Sequence, residues 1–522
     1  MITRRGFLAG AVGVGLSVGA VSRSAAQGGR VPVNRQECRA VVIGSGFGGG
    51  VAALRLAEAG VPVLVLERGI RWPTGPNAET FPHAAQPDHR VSWMCSPVLG
   101  PVPAPNCEPY TGLLERVRGN GLDILCGAGV GGGSLVYQGM SLQPSEEVFN
   151  THFPEQLDYR LMDRVYYPRV ARMLRLATAP DELIESRPYR PARLFADHVR
   201  RAGYPLSKVP MPIDWSYALR ELRGEMKPSY TNGDCALGVN NGGKHSVDVT
   251  YLARAEATGR VTVETLHNVT DVALAPDGRW QVFVDRIDTR GRVREHKIIT
   301  TRALIMAAGS PNTTRLLVRA AAKRQIPDLP DELGGNWGSN ADRICVWTNL
   351  AEDLGSPQGG PVIYASRDWA DPETANTVIQ ASLPPLPVNS RSTMLVGYGV
   401  SSGRGRFVYD SGADDAVLQW PRDGDAVAWR HIHTRMARIT GPAGTLLDTT
   451  ALDTTTWHPL GGASMGTVCD LAGRVLGHRG LYVLDGALMP GNTAACNPSL
   501  TIAAVAERAA DELIARDVGV VF

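Results

Sequence analysis

RAVVIGSGFGGGVAALRLAEAGVPVLVLE, residues 39–67, decides the fold. The apolar run Ala40 to Ile43 has the length of a buried strand, and Gly44-x-Gly46-x-x-Gly49 follows it directly. Ala52, Leu54, Leu56 and Ala57 continue with helical character, and a second apolar run, Val63 to Leu66, ends at Glu67. Strand, glycine turn, helix and strand in this order form a βαβ unit that carries a dinucleotide fingerprint in its required context. Gly44 suits the tight turn, Gly46 a close approach of backbone to a pyrophosphate, and Gly49 the packing of helix on strand. Gly48 and Phe47 open the helix, where unpaired N–H groups and a partial positive charge favour phosphate. Glu67, 23 residues after Gly44, ends the second strand where a carboxylate can accept ribose hydroxyls.

The 522-residue chain is 43% hydrophobic, enough for two domains or more. Its 53 basic and 51 acidic side chains nearly balance and form no basic stripe, so nucleic acid is excluded as a partner. Residues 1–26 read as an export signal. Arg4-Arg5 precedes a weakly hydrophobic Gly- and Ala-rich stretch, and Ser24-Ala25-Ala26 supplies small residues for cleavage. That stretch is too short and glycine-rich to span a bilayer comfortably. The expected destination is the cell envelope or the medium after twin-arginine export, a route that carries folded, cofactor-loaded chains. The eight cysteines form no CxxC pair, so no metal site is expected. Cys95 and Cys107 could bridge one loop after export, and the default for the others is a free, buried thiol.

Beyond Glu67 the periodicity breaks over a Pro-rich loop, 70–118. Residues 126–140, CGAGVGGGSLVYQGM, form a second glycine cluster suited to passing close to a flat ligand. Helical patterning with many arginines at 156–202 suggests surface helices of a second domain. Alternation at 260–300, broken by Pro276-Asp277-Gly278, predicts hairpins, and Arg302 to Ala308 another buried strand. Four stretches, 378–382, 393–400, 407–410 and 417–420, are assigned to one substrate-domain sheet. Leu481 to Leu484 is a strand ending at Asp485-Gly486, and a helix runs from Ser499 to Arg516.

Two side chains near the C-terminus can carry chemistry. His458, in WHPLGG, is of the type best suited to take a proton near neutral pH. Asn497, in ACNPSL, reads as a helix N-cap with Pro498 at the first helical position, and an amide there could also face a substrate.

GSGFGGG with its Glu67, GVGGGSLVYQGM, LIMAAGSPNTTRLL, HPLGG and LYVLDGALMPG through NPSLTIAAVAERAAD occur in order. Together they resemble the glucose–methanol–choline (GMC) oxidoreductase family. NNGGKHSVDVTYL, GRFVYD and VTVETLHNV narrow the resemblance, which spans about residues 38–516, to bacterial sterol-oxidising members with non-covalent FAD. It implies an α/β fold: a Rossmann-like FAD-binding domain with an inserted α+β substrate domain on a mostly antiparallel sheet. The FAD domain would take 36–75, 120–145, 230–320 and 455–522, and the substrate domain 76–119, 146–229 and 321–454. The resemblance puts the ribose at Glu67 and the pyrophosphate at Gly44, Gly46, Phe47, Gly48 and Gly49. The flavin would lie along Gly132, Gly133, Tyr137, Gly139 and Met140, and near Asp485, Gly486 and Ser499, with adenine at the backbone of Val269. His458 and Asn497 match the family's catalytic pair.

The implied reaction oxidises the 3β-hydroxyl of a sterol, or the hydroxyl of another apolar alcohol, with O2 reduced to H2O2. The protein would act as a monomer in transient contact with a membrane surface. Two other readings stand beside it: a dehydrogenase passing electrons to a carrier, and a catalytically silent lipid-binding flavin fold. Tyr137 stands where the sterol-oxidising relatives have Asn beside the flavin, and Ser382 falls where they have a glutamate that moves the steroid double bond. The second departure predicts weak isomerisation of the 5-ene to the 4-ene, restorable by Ser382→Glu.

Overall fold

The computed structural model describes residues 31–98, 107–385, 388–449 and 454–522. The expected export signal, 1–26, lies outside them. Strand β1 (Val33–Ile43), helix α1 (Phe47–Glu58) and strand β2 (Val63–Leu66) form the anticipated βαβ unit. β1 and β2 pair in parallel, Ala40 opposite Val63. On its other side β1 pairs in parallel with the long strand Val293–Met306, and β2 carries the edge strand Val261–Glu264. All four residues of β2 are buried, the continuous apolar signature of a parallel sheet covered on both faces.

The strand Val293–Met306 forks. Its first half pairs antiparallel with Trp280–Ile287, which closes on His267–Leu274 through the turn at Gly278. Its last residues pair in parallel with Leu481–Val483, so a strand from near the C-terminus enters the same sheet. Ala307 and Gly309 then lead into the helix Ser310–Ala322. The final helix, Ser499–Arg516, lies against α1. Arg55 of α1 reaches Glu507 (2.6 Å) and Asp511 (2.7 Å) on it.

The second sheet is antiparallel and six-stranded. Its order is Gly444–Asp448, Arg343–Asn349, Ser392–Gly399, Asn376–Ala381, Tyr364–Asp368 and Ser207–Lys208. One face packs on the helix Ala426–Thr440 through Val378, Leu395, Ile432 and Met436. The other carries Ile379, Ala381, Val396 and Tyr398, which cluster with Met140 and Cys496.

Three expectations change. Arg406–Asp410 and Asp415–Gln419 are strands but leave the substrate sheet, forming a separate ribbon with Gly119–Asn120. Their alternation reveals strands, while the partner strand is chosen by tertiary contacts that alternation does not encode. Second, the arginine-rich segment near 160–173 is a surface helix, but its buried face packs on the final helix. Tyr166 and Tyr167 are buried, Tyr167 Oη lies 3.1 Å from Thr501 Oγ1, and Arg169 pairs with Glu507 (3.1 Å) on the final helix. Of its arginines, Arg169 meets that helix, while Arg160 pairs with Glu146 on the surface (3.5 Å). Third, the loop 70–118 ends in a strand, Leu114–Val117. Cys95 and Cys107 are disulfide-bonded, while Cys38 and Cys126 are free and only half-buried.

The glycine turn is a backbone-on-backbone contact. A Cβ at Gly48 would fall 1.9 Å from the carbonyl oxygen of Leu484, and one at Gly44, whose φ is +96°, 2.2 Å from that of Ala307. Both clashes are with main chain, which has no rotamer to yield. Gly48→Ala should therefore force α1 away from the sheet; a lowered thermal midpoint and loss of bound flavin absorbance on gel filtration are expected.

Candidate active site

Glu67 sits at the end of β2, buried and held on both oxygens. Ser45 Oγ donates to Oε2 (2.5 Å), while Gly69 N (2.9 Å) and Gly129 N (3.3 Å) donate to Oε1. His267 N donates to the Glu67 carbonyl (2.9 Å), which brings the strand bearing Val269 alongside. The two glycine clusters face each other. A Cβ at Gly132, in the 3₁₀ turn Gly132–Leu135, would come 2.9 Å from Gly46 Cα, and one at Gly133 would meet nothing within 4 Å. Gly46 itself has only Gly132 Cα near, at 4.0 Å. Smooth backbone on both sides of a helix N-terminus, with a buried carboxylate at one end, suits a dinucleotide.

Past the turn, the Tyr137 ring meets Phe47 edge-on at 5.5 Å, and burial pushes its phenol up. Ser499 Oγ at the start of the final helix donates to the Met140 carbonyl (3.3 Å). Asp485 is fully enclosed and accepts from Gly309 N (2.8 Å), Thr313 Oγ1 (2.6 Å) and Ala487 N (2.8 Å). Gly461 N donates to the Gly486 carbonyl (2.8 Å), which joins that turn to the segment bearing His458. The residues named for a flavin thus belong to one connected frame.

His458 is buried, with Tyr398 edge-on at 5.5 Å and Trp457 at 6.0 Å. Its Nδ1 lies 2.6 Å from Asp342 Oδ1. The other carboxylate oxygen accepts from Thr456 Oγ1 (2.7 Å), Trp457 N (3.0 Å) and His458 N (3.2 Å). Asp342 was not legible as a site residue, since ADRICV carries no motif; the strand following it was the only signal.

Asn497 does not cap the final helix. The helix begins at Ser499, Pro498 holds the cap position, and no side-chain cap bond forms. Asn497 Oδ1 is buried and has no hydrogen-bond partner among the described residues. The loop before it turns through Ala494 (φ +55°) and Ala495 (φ +59°), conformations that cost L-residues energy and concentrate at functional sites. Thr377 Oγ1 holds the Ala495 carbonyl (2.9 Å), and Asn340 Nδ2 that of Cys496 (2.7 Å). The orphaned amide oxygen is what a site that awaits a polar ligand atom leaves behind.

Ser382 follows directly on the strand Asn376–Ala381 and is buried. Thr377 pairs with Tyr398, so Thr377, Ile379 and Ala381 share the Tyr398 face. Gln380 points to the other face, where it reaches Thr393 Oγ1 (2.8 Å). A Cβ at Gly360 would stand 2.5 Å from Ser382 Oγ, and one at Gly233 3.0 Å from it. The hydroxyl lies close to both glycines and beside Cys235, which belongs to the buried cluster that holds Tyr398 and Met140.

Two glycine-rich backbones, a buried carboxylate and a histidine–aspartate pair beside an apolar wall fit a dinucleotide-dependent oxidoreductase. The comparisons agree. The GMC oxidoreductase models match residues 9–337 (N-terminal part) and 426–506 (C-terminal part), and the chain belongs to this family of FAD-binding alcohol oxidoreductases. It is 26% identical to a cholesterol oxidase of Mycobacterium tuberculosis (strain CDC 1551 / Oshkosh), over 90% of each chain. It is 25% identical to paromamine 6'-oxidase of Streptomyces fradiae, again over 90% of each. Among solved structures it resembles pyridoxine 4-oxidase from Mesorbium loti with a TM-score of 0.60 at 16% identity, covering 91% of this chain and 99% of that one.

Lys244 escaped the sequence reading. It is buried, donates to the carbonyls of Leu135 (2.9 Å) and Tyr137 (2.6 Å), and lies 4.8 Å from the Tyr137 ring centre. Burial lowers its pKa to about 7, and a neutral amine keeps two N–H donors, enough for both carbonyls. An unfolded lysine titrates near ~10.4, so between about 7 and 10 the unfolded chain binds a proton that the folded chain does not. Stability from this site therefore rises with pH through that window. Lys244→Met removes the slope: the thermal midpoint of the variant relative to wild type should fall from pH 6 to pH 9. A constant difference would show that Lys244 keeps an ordinary pKa.

Proposed function

We propose that this chain oxidises the hydroxyl of an apolar secondary alcohol, a 3β-hydroxysterol being the first candidate, with non-covalent FAD and O2 as acceptor. The observation that carries the reading is the wall beside His458: Met140, Ile379, Ala381, Val396, Tyr398 and Cys496 form one buried cluster packed by Trp457. Such a surface favours an apolar carbon skeleton, because burying it releases roughly 25 cal/mol per Å² of apolar area. The cholesterol oxidase relatives support a sterol, and the paromamine and long-chain-alcohol oxidases among the relatives support the broader alcohol class.

FAD, when bound, supplies the two-electron acceptor, and its reoxidation by O2 accounts for H2O2. The chain's own part is to position and to move one proton. Glu67 would hold the adenosine ribose, and the first turn of α1 with Gly46 and Gly132 the pyrophosphate. No histidine occurs in 121–150, the stretch beside the flavin frame, which supports a non-covalent link. His458, with Nδ1 engaged by Asp342, has its other ring nitrogen to receive the hydroxyl proton. Asn497 would direct its amide to the same oxygen. No acid shares the Tyr398 face of Asn376–Ala381, so nothing there shuttles a proton between ring carbons of a steroid.

The test is anaerobic mixing with a panel of sterols and simple alcohols, followed by admission of air. Loss of flavin absorbance and peroxide in air are expected, with a Δ5-sterol yielding the unconjugated 5-en-3-one at early times. Prompt conjugated 4-en-3-one would overturn the product assignment, and a flavin that no alcohol bleaches would overturn the activity. His458→Ala should keep FAD and slow reduction by about 10²–10⁴-fold, the range for a positioned acid–base group.

Export through the twin-arginine route belongs to the same proposal. The Cys95–Cys107 disulfide supports it, since such bonds persist in oxidising compartments. Arg4→Lys with Arg5→Lys should retain the protein in the cytoplasmic fraction; unchanged export would sink the assignment.

A further inference from the structure

We propose that Asp342 is a positioning residue that fixes the tautomer of His458, and so decides which ring nitrogen receives the alcohol proton. The inference rests on the activity proposed above and assigns a role to a residue outside the sequence motifs.

Three observations carry it. The Asp342 side chain is wholly buried and that of His458 nearly so, which strengthens a charged hydrogen bond between them. The carboxylate is divided in use: Oδ2 takes Thr456 Oγ1 and the two backbone N–H groups of Trp457 and His458, while Oδ1 is left for His458 Nδ1 at 2.6 Å. A carboxylate only accepts, so Nδ1 must carry the proton, and Nε2 is the basic nitrogen. In the reaction the alcohol O–H bond breaks and its proton goes to Nε2, giving an imidazolium. The carbon-bound hydrogen leaves with its electron pair as a hydride, for which the family's FAD would be the acceptor, and the O–H electrons form the C=O bond. The charge that appears on the ring is then compensated by Asp342, which does not itself take the proton.

The charged and titratable groups around the pair are few. Tyr398 meets the ring edge-on, and burial pushes its phenol well up, so it stays neutral. Asp425 is a like charge felt by Asp342; it accepts from Ser339 Oγ at 3.0 Å and is offset by Arg404. Cys496, on the Tyr398 side, is held protonated by burial. Asp342 is therefore the one carboxylate bonded to the imidazole among the described residues.

A purely structural Asp342 would only clamp the turn at 456–458, and Asp342→Asn separates the two roles. The amide oxygen keeps the three donors that Oδ2 holds, while the amide NH2 faces Nδ1 and forces the ring proton onto Nε2. The holo variant should retain FAD and a thermal midpoint close to wild type. Flavin reduction should slow by about 10²–10⁴-fold. The acid limb of its pH profile should move to lower pH, because the charge that compensates the imidazolium is gone. Independently, ¹⁵N-histidine spectra of the holoenzyme, with the His458 resonances assigned by their loss in His458→Gln, should show Nδ1 protonated and Nε2 bare at high pH. The pattern should reverse in Asp342→Asn.

A wild-type spectrum with the proton on Nε2 overturns the proposal whatever the variant does. So does an Asp342→Asn enzyme with an unchanged pH profile and rate. If no alcohol reduces the flavin, the activity reading fails while the nitrogen shifts still decide the tautomer.

Discussion

The fold depends on main chain touching main chain where three strand ends meet. β1, the strand Val293–Met306 and the strand Leu481–Val483 lie in consecutive parallel register, and the turn after β1 presses against the carbonyls that follow the other two. Contact at Leu484 and Ala307 leaves no volume for a side chain at Gly48 or Gly44. One consequence is topological. A sheet built from residues near 40, 300 and 480 closes only if everything between them is accommodated as excursions from one crevice. The substrate domain is made of such excursions, and both ends of each return to the same place. The crevice that forms at the carboxyl ends of parallel strands is also where an α/β sheet binds its ligand.

The second constraint is that the chemical residues sit on segments with little regular structure of their own. His458 follows a two-residue strand, Thr455–Thr456, and Asn497 follows a loop with two left-handed alanines. Such backbone keeps its shape only if hydrogen bonds from elsewhere over-determine it. They do: Asp342 binds three groups of the first segment besides the imidazole, while Thr377 and Asn340 hold carbonyls of the second. The groups that hold these segments, the acceptor Asp342 and the donors Thr377 and Asn340, come from the second sheet and its approach. The proposed pair, His458 and Asn497, is therefore positioned by the seam between the sheets, and disturbing either sheet should disturb it.

These features explain what could be read in advance. The βαβ unit and the final helix, Ser499–Arg516, were legible because local periodicity and glycine spacing specify them. His458, Asp485 and the second glycine cluster were legible because short motifs carry them. Asp342 and Lys244 were not, since each acts across 100 residues or more, Asp342 on His458 116 residues away and Lys244 on Tyr137 107 residues away. Asn497 misled for a related reason: Asn-Pro before a helix is a local capping signal, yet Pro498 takes the cap position and no side-chain cap bond forms. The ribbon at 406–419 misled because alternation identifies a strand without naming its partner.

The face of the second sheet that meets His458 limits what chemistry can follow oxidation. Side chains alternate along a strand, so a single strand offers its active-site wall only every second residue. On Asn376–Ala381 those residues are Thr377, Ile379 and Ala381, and across the pair lie Tyr398 and Val396. Thr377 spends its hydroxyl on the Ala495 carbonyl and Tyr398 is a neutral phenol, so the wall has no group that would be a base near neutral pH. An acid could enter this wall only at the odd-numbered positions, where Ile379 and Ala381 now pack against Met140 and Cys496. Placing a charge there would cost several kcal/mol of desolvation unless a partner came with it. The chain has instead concentrated its buried carboxylate behind the histidine, at Asp342, where four donors surround it. Among the described residues, the carboxylate bonded to His458 thus lies behind the ring rather than in this wall.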